Sequence, residues 1–249
     1  MGVPATAVES VWRPGVVGVD DGPVREYLRT DRLVLRRFTG ADLEDLVALD
    51  GDPEVMRYLT GGRSTPRQRM RDEVLPYLLG YYDRGDDFGY WAAVDRRGGF
   101  LGWFHLRPHP GGGPAGAPDR HGIELGYRLR RAVWGNGYAT EGCRALLRKG
   151  FTELGVDRVY AETMAVNVAS RRVMEKAGLR YVRTFHQRWP EAIAGSEFGE
   201  MEYAVTRAGW WARQDAGAVC RSEPVEPVAC GGDSPTAEGD HQGDPGFGR

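Results

Sequence analysis

Two glycines in the middle of the chain stand where a strand-like run gives way to a helix-like run. Gly135 and Gly137 follow GIELGYRLR and precede YATEGCRALLRKGFTELG. Glycine adopts positive φ and has no Cβ, so the backbone there can wrap closely around an anion. The first amides of a helix are unpaired and carry a partial positive charge, which makes phosphate their natural ligand. The spacing therefore predicts a phosphate-binding turn, with a purely structural helix entry as the alternative.

Two well-known phosphate motifs do not fit this turn. A P-loop needs Lys followed by Ser or Thr after the second glycine, whereas Tyr138 and Ala139 stand there. A dinucleotide-binding fold needs G-x-G-x-x-G early in the chain, whereas the next glycine, Gly142, is too distant and the turn lies in mid-chain. These two motifs are therefore excluded, and both another phosphate-bearing ligand and a purely structural helix entry remain open.

Two glutamates on predicted strands are candidates for a general base. Glu124, in GIELGY, is flanked by Ile123 and Leu125, and the alternation of a strand places Glu124 on the opposite face from both. A half-buried carboxylate whose pKa is raised by burial could serve as a general base, directly or through a water. Glu162, in YAETMA, is a rival base by the same reasoning. A solvent-facing, structural Glu124 is the alternative.

The run NVASRRVMEKAG predicts a helix with polar residues at its start. Asn167 is placed to cap the helix and Gly178 to end it. Ser170 lies in the first turn, where Ser is common for structural reasons. Arg172 and Lys176 either reach a ligand phosphate or form a solvated face.

The surrounding elements predict a single α/β domain. Strand-like runs with period-two alternation and helical stripes follow one another in the order β-α-α-β-β-β-α-β-α-β-β, without an internal repeat. The segment HPGGGPAGAPDRH, residues 109–121, is too rich in Gly and Pro for regular structure. We assign residues 1–28 to a flexible arm, 29–213 to the folded domain and 214–249 to a disordered tail, because neither end can bury enough apolar surface.

Composition excludes several classes of function. The net charge of −2 gives no basic field for nucleic acid, and no apolar run is long enough to span a membrane. Three cysteines and five histidines are scattered without the spacing of a metal site or a disulfide framework. We therefore expect a cytoplasmic protein without metal, nucleic-acid partner or membrane, and a homodimer remains possible.

The motifs together resemble the GNAT acetyltransferase superfamily, and within it the RimJ/RimL-like branch of ribosomal-protein N-acetyltransferases. The matching runs, in the family's order and covering about residues 29–207, are TDRLVLRRF, GYWAAVD, GIELGYRL, WGNGYATEG and NVASRRVMEKAGLRYV. The resemblance implies a mixed, mostly antiparallel central sheet with helices on both faces. It also implies acetyl-CoA as cofactor and an amine as acceptor, either a protein N-terminal amine or a small-molecule amine.

The resemblance also assigns roles to individual residues. The family's Q/R-x-x-G-x-G/A turn has Ala132 in place of its first Gln or Arg, so backbone amides should do most of the binding. Ser170 would protonate the leaving thiolate, Asn167 would bind the pantetheine arm and Arg172 the 3′-phosphate. The diphosphate would be cradled by Trp134, Gly135, Asn136, Gly137, Tyr138 and Ala139, and the pantetheine amides would pair with the backbone of Tyr127, Arg128 and Leu129.

The resulting expectation is an N-acetyltransferase in which a neutral amine attacks the thioester directly in a ternary complex. Glu124 would serve as base and Ser170 as acid, while backbone N–H groups of the central strand would stabilise the oxyanion. Cys143 lies in a helical stripe and is expected to be part of the core, not a nucleophile. A non-catalytic acyl-CoA-binding or regulatory domain is the alternative from a different class.

Overall fold

The computed structural model describes residues 25–108, 122–187, 189 and 191–219, with side chains up to residue 214. The Gly- and Pro-rich segment 109–121 lies outside the described residues, as do most of the predicted arm and most of the predicted tail. In the described part of the chain, no helix has both the length and the apolar character needed to cross a membrane.

Eight strands form one sheet in the order β1-β2-β3-β4-β5-β6-β8-β7. Every neighbouring pair is antiparallel except β5 and β6, which run parallel. The strands are β1 (Glu26–Arg29), β2 (Leu33–Arg36), β3 (Gly89–Asp95), β4 (Phe100–Pro108), β5 (Ile123–Leu129), β6 (Arg158–Met164), β7 (Arg180–Phe185) and β8 (Glu200–Thr206). The predicted mixed, mostly antiparallel α/β fold is confirmed.

Helices cover both faces of the sheet, as predicted. They are α1 (Leu43–Asp50), α2 (Pro53–Thr60), α3 (Arg67–Arg69), α4 (Leu75–Leu79), α5 (Tyr138–Thr152), α6 (Val168–Ala177) and α7 (Arg207–Val219). One apolar core joins the sheet to α5 and α6, and a second joins its other face to α1, α2 and α4. Cys143 is buried in the first core, as its position in the helical stripe of α5 predicted.

The structure differs from the predicted element order at three places. Helix α2 is additional to the predicted order: Pro53 occupies its first turn, and the Asp52 carboxylate accepts from the Glu54 N–H at 2.9 Å. Strand β1 lies within the predicted arm and pairs with β2. Helix α7 extends past the predicted boundary at residue 214 and packs Trp210 against Phe151, with ring centroids 5.7 Å apart.

Candidate active site

The two parallel strands at the centre of the sheet separate soon after they begin to pair. β5 meets β6 only at Ile123 with Val159 and at Glu124 with Tyr160, whereas β6 pairs with β8 along its whole length. The rest of β5 is hydrogen-bonded on its β4 side alone. A cleft of about 650 Å³ opens at this separation, bordered by α2, α5 and α6.

The open edge of β5 presents the backbone groups of alternate residues. Arg130 N–H donates to Leu101 O on β4 at 2.8 Å. Because backbone groups alternate in direction along a strand, those of Leu129 and Tyr127 face the cleft and those of Arg128 face β4. The expectation that the Arg128 backbone pairs with a ligand is therefore wrong. Its buried guanidinium is paired with Asp50 instead.

The glycine turn has the geometry expected of an anion cradle. Gly135 and Gly137 have φ of +78° and +81°, and a Cβ added at Gly135 would project into open space. Gly137 is the N-cap of α5, and the first bond within the helix runs from Glu141 N–H to Gly137 O. The amides of Tyr138, Ala139 and Thr140 precede this bond and have no acceptor in the helix. A phosphate group fits this arrangement.

Side chains of the turn shape it from within. The Trp134 indole donates to Leu129 O at 2.8 Å and so occupies one carbonyl of the open β5 edge. The Asn136 side-chain amide donates to Val133 O and Trp134 O. Asn136 is the one residue of the predicted cradle that does not line the cleft. The side-chain N–H groups of Trp134 and Asn136 are thus engaged with carbonyls of the turn and of β5.

Two residues that sequence reasoning missed hold the turn from outside. The Arg32 guanidinium donates to Asn136 O at 2.9 Å and to the Glu141 carboxylate at 2.7 Å. Glu141 also accepts from the Thr30 hydroxyl at 2.6 Å. Glu141 stands in the first turn of α5, where a carboxylate is favoured by the helix dipole. These residues lie in TDRLVLRRF and WGNGYATEG, but no local pattern connects the two runs.

Two hydroxyls meet on the wall of the cleft, one from the start of α6 and one from β5. Asn167 Oδ1 accepts from Ser170 N–H at 3.2 Å, which is the predicted capping bond. Ser170 Oγ lies 3.0 Å from the Tyr127 hydroxyl, which reaches across from β5. Burial raises the pKa of Tyr127, so this phenol stays protonated. Arg172 and Lys176 line the cleft farther along the same helix.

Glu124 is buried at the base of the cleft in an ion pair. It faces away from the core that contains Ile123 and Leu125, as the alternation predicted. Its carboxylate lies 2.5 Å from Arg107 and 3.7 Å from the His105 ring. Burial alone would raise the pKa of this carboxyl, but the neighbouring His105 and the Arg107 guanidinium lower it to about 2. The group is therefore ionised throughout the neutral range.

Glu162 lines the same cleft with the opposite electrostatic character. The pKa of Glu162 is raised to about 7. Burial makes the largest contribution, the carboxylates of Glu124, Glu202 and Glu200 add to it, and the charge of Arg183 opposes it. A carboxyl that titrates near neutrality can both accept and release a proton under physiological conditions. Its surroundings thus make Glu162 a stronger proton acceptor than Glu124.

Part of the cleft comes from chain segments that carry no motif. Helix α2 contributes Glu54, Val55, Tyr58 and Leu59, and the β7–β8 region contributes Gln187, Trp189 and Glu200. No sequence signal marked them, because they reach the site only through the order of strands and helices in space. The cleft therefore has a phosphate end at the α5 turn and an acidic, aromatic end beside α2 and β8.

The fold and cleft together define an acyltransferase. The chain belongs to the GNAT acetyltransferase family: the family model described as "Acetyltransferase (GNAT) domain" matches residues 32–180. Acetyl-CoA is therefore its cosubstrate, and the glycine turn and the open β5 edge fit the diphosphate and amide groups of that molecule.

Known proteins support this assignment. The chain is 36% identical to the FsC-acetyl coenzyme A-N(2)-transacetylase of Aspergillus fumigatus over 74% of this chain and 77% of the relative. The fold matches a GNAT-family acetyltransferase from Bacillus anthracis with a TM-score of 0.60 and 22% identity, over 73% of this chain and 98% of the other. It also matches the aminoglycoside acetyltransferase AAC(6')-Ib, solved with coenzyme A, with a TM-score of 0.57 and 20% identity, over 73% and 99%. These relatives do not support the RimJ/RimL-like branch.

Proposed function

We propose that this protein transfers the acetyl group of acetyl-CoA to an amine by direct attack within the cleft. The observation that carries the proposal is the continuity of the cleft from the glycine turn, through the gap between β5 and β6, to the Glu162 carboxyl. One end suits a diphosphate and the other suits an ammonium group. The gap between them is the place where the two substrates meet.

The chain's own groups account for cosubstrate binding. When bound, acetyl-CoA supplies an activated acetyl thioester. The amides of residues 135–139 would hold the diphosphate, and the cleft-facing backbone of Tyr127 would pair with the pantetheine arm together with Asn167. Arg172 and Lys176 line the cleft and supply cations for a further phosphate.

Glu162 is the proposed general base. An amine acceptor arrives mostly as ammonium at neutral pH and must lose a proton before it attacks. Glu162, with a pKa of about 7, accepts that proton far more readily than Glu124, with a pKa of about 2. Glu124 instead neutralises Arg107, and its charge helps to raise the pKa of Glu162. Glu124, the base expected from the sequence, becomes the alternative.

Ser170 is the proposed proton donor to the leaving sulfur. As the N–C bond forms and the C–S bond breaks, the electron pair moves to sulfur. The Ser170 hydroxyl can protonate the thiolate and then regains a proton from solvent. With the Tyr127 hydroxyl as the donor in its 3.0 Å contact with Ser170 Oγ, the serine proton is free for the sulfur. Cleft-facing backbone N–H groups of β5 are available to stabilise negative charge on the carbonyl oxygen.

The test is thiol release with a panel of small amines and peptides with free N-termini, followed by mass measurement of the product. Wild type should yield an acetylated amine. Glu162→Gln should reduce kcat by about 100-fold or more, within the range of general-base contributions, while Glu153→Gln, an exposed change of equal charge, should not. Tight acetyl-CoA binding by calorimetry without thiol release for any acceptor would instead support a non-catalytic acyl-CoA-binding domain.

A further inference from the structure

Glu200 presents a carboxylate to the cleft that has an unpaired oxygen. It begins β8, is 5% exposed and lines the acidic end of the cleft. Among the described residues, its Oε1 has no hydrogen-bond partner. A buried carboxylate oxygen without a partner is costly, and the proposed amine transfer described above gives Glu200 no role.

Three arginines on strands of the same sheet are paired with other carboxylates. Glu202, on the same face of β8, lies 2.5 Å from Arg158 and 2.7 Å from Arg183. Arg107 pairs with Glu124 in the same way, at 2.5 Å. The positive charge that would satisfy Glu200 is therefore expected from a ligand.

The register of the sheet places Glu200 beside the proposed base. Glu162 is opposite Glu202, and Glu200 is opposite Met164, so Glu162 and Glu200 are diagonal neighbours on one face of β6 and β8. Diagonal neighbours in an antiparallel pair are about 7–8 Å apart. The two carboxyls can thus contact two different nitrogens of one small molecule.

Aromatic side chains line the same end of the cleft. Tyr58 of α2, Tyr160 of β6 and Trp189 all border it. Aromatic faces attract cations and pack well against methylene groups. Two carboxyls and three aromatic rings suit a molecule with cationic nitrogens joined by an apolar linker.

We propose that Glu200 anchors a second cationic group of the acceptor, so that the preferred acceptors are diamines and larger polycationic amines. This inference rests on the proposed function, since it assigns Glu162 to the nitrogen that is acetylated. Glu200 then acts as a specificity-determining residue that positions the acceptor and takes no part in bond making.

The experiment compares kcat/KM for putrescine, n-butylamine and 4-aminobutanol, which share a chain length but differ in the distal group. Wild type should prefer putrescine over both others by about tenfold to 100-fold, the range expected for one hydrogen bond to a charged group. In Glu200→Gln the kcat/KM values for the three amines should become nearly equal. Glu153→Gln, the exposed control of equal charge change, should keep the preference for putrescine. A preference near onefold in wild type, or an unchanged preference in Glu200→Gln, would overturn the proposal.

Calorimetry of putrescine binding to the CoA-saturated protein separates this inference from the proposed function. Binding that is lost in Glu200→Gln supports the anchor even if no amine is acetylated, a result that would contradict the proposed function alone. Turnover with no effect of Glu200→Gln on putrescine binding contradicts the anchor alone. Thermal unfolding checks the variant, and Glu200→Asp, which keeps the charge, should retain part of the putrescine preference.

Discussion

The hydroxyl oxygens of Tyr127 and Ser170 lie 3.0 Å apart, and this contact links β5 to the first turn of α6. β5 is one of the two strands that separate, and α6 borders the cleft that opens between them. In such a pair one hydroxyl donates and the other accepts. With Tyr127 as donor, Ser170 keeps its proton for a group in the cleft, so the tyrosine sets the direction in which the serine donates.

Replacing these hydroxyls should lower turnover to different extents. Ser170→Ala is expected to reduce kcat by about tenfold to 100-fold. This range lies at or below the low end of general-acid contributions, because a thiol leaves readily as thiolate near neutral pH. Tyr127→Phe should reduce kcat by less, about tenfold at most, because it removes only the orientation of the serine. Steady-state kinetics at saturating acetyl-CoA measures both. An unchanged kcat in Ser170→Ala would discard its role, and a larger loss in Tyr127→Phe would make the tyrosine the donor.

Loss of the Arg32 side chain should weaken cosubstrate binding without slowing the chemical step. The guanidinium holds Asn136 O and Glu141 together. Arg32→Ala should therefore raise KM for acetyl-CoA by about threefold to tenfold, below the range for charge-assisted bonds because the side chain is half exposed and does not contact the ligand itself. Because Arg32 and Glu141 form one network, adding Glu141→Gln should cost less than the sum of the single changes.

The Arg32–Glu141 pair, which holds the glycine turn from outside, is called the Arg32–Glu141 clamp, and its control is Arg96→Ala. Arg96 contacts the same β1–β2 turn, donating to Asp31 O at 2.8 Å, but does not reach the glycine turn. Its removal should leave KM for acetyl-CoA unchanged. A fall in kcat with unaltered KM in Arg32→Ala would show that the clamp acts on the reaction and not on binding.

Local patterns were enough to predict the parts of the site that lie on single elements. The Asn167 cap, the glycine turn and the face of Glu124 follow from rules that operate within a few residues. The Arg32–Glu141 clamp joins positions 109 residues apart, and Glu200 reaches the cleft only because β8 lies between β6 and β7. Such contacts depend on the order of strands in space, which no local rule specifies.

The choice between two glutamates as base also needed the structure. Glu124 and Glu162 each stand within a predicted strand, and the sequence pattern does not distinguish them. Their pKa values differ because Arg107 lies against Glu124, whereas other carboxylates surround Glu162. Burial and the charge of neighbours on other strands decide the outcome, and neither can be read from spacing along the chain.

Two glycines of α5 should respond in opposite directions to alanine. A Cβ at Gly142 would lie far inside van der Waals contact with the fully buried ring of Phe104, whereas a Cβ at Gly150 would meet Leu106 Cδ2 at an ordinary 3.5 Å. Gly142→Ala should therefore lower the free energy of unfolding by about 1–3 kcal/mol. Gly150→Ala should raise it by up to about 1 kcal/mol through helix propensity. Urea unfolding measures both, and a stabilised Gly142→Ala protein would contradict the close packing of α5 on β4.

The Glu162 carboxyl should give activity and stability opposite dependences on pH. Only the ionised form accepts a proton, so kcat/KM should rise with pH through about 7. The pKa of Glu162 in the folded state is raised above its ordinary value of 4.5, so the stability linked to this group is fully present below about 4.5 and is lost as pH rises through about 7. The charged groups that face the Glu162 carboxyl are Glu124, Glu200, Glu202 and Arg183.

Glu162→Gln should remove the acidic limb of the rate profile and raise the Tm relative to wild type at pH above about 7. Glu124→Gln should keep an acidic limb, shifted to lower pH because one neighbouring negative charge is gone. An acidic limb that disappears in Glu124→Gln and persists in Glu162→Gln would assign the base to Glu124.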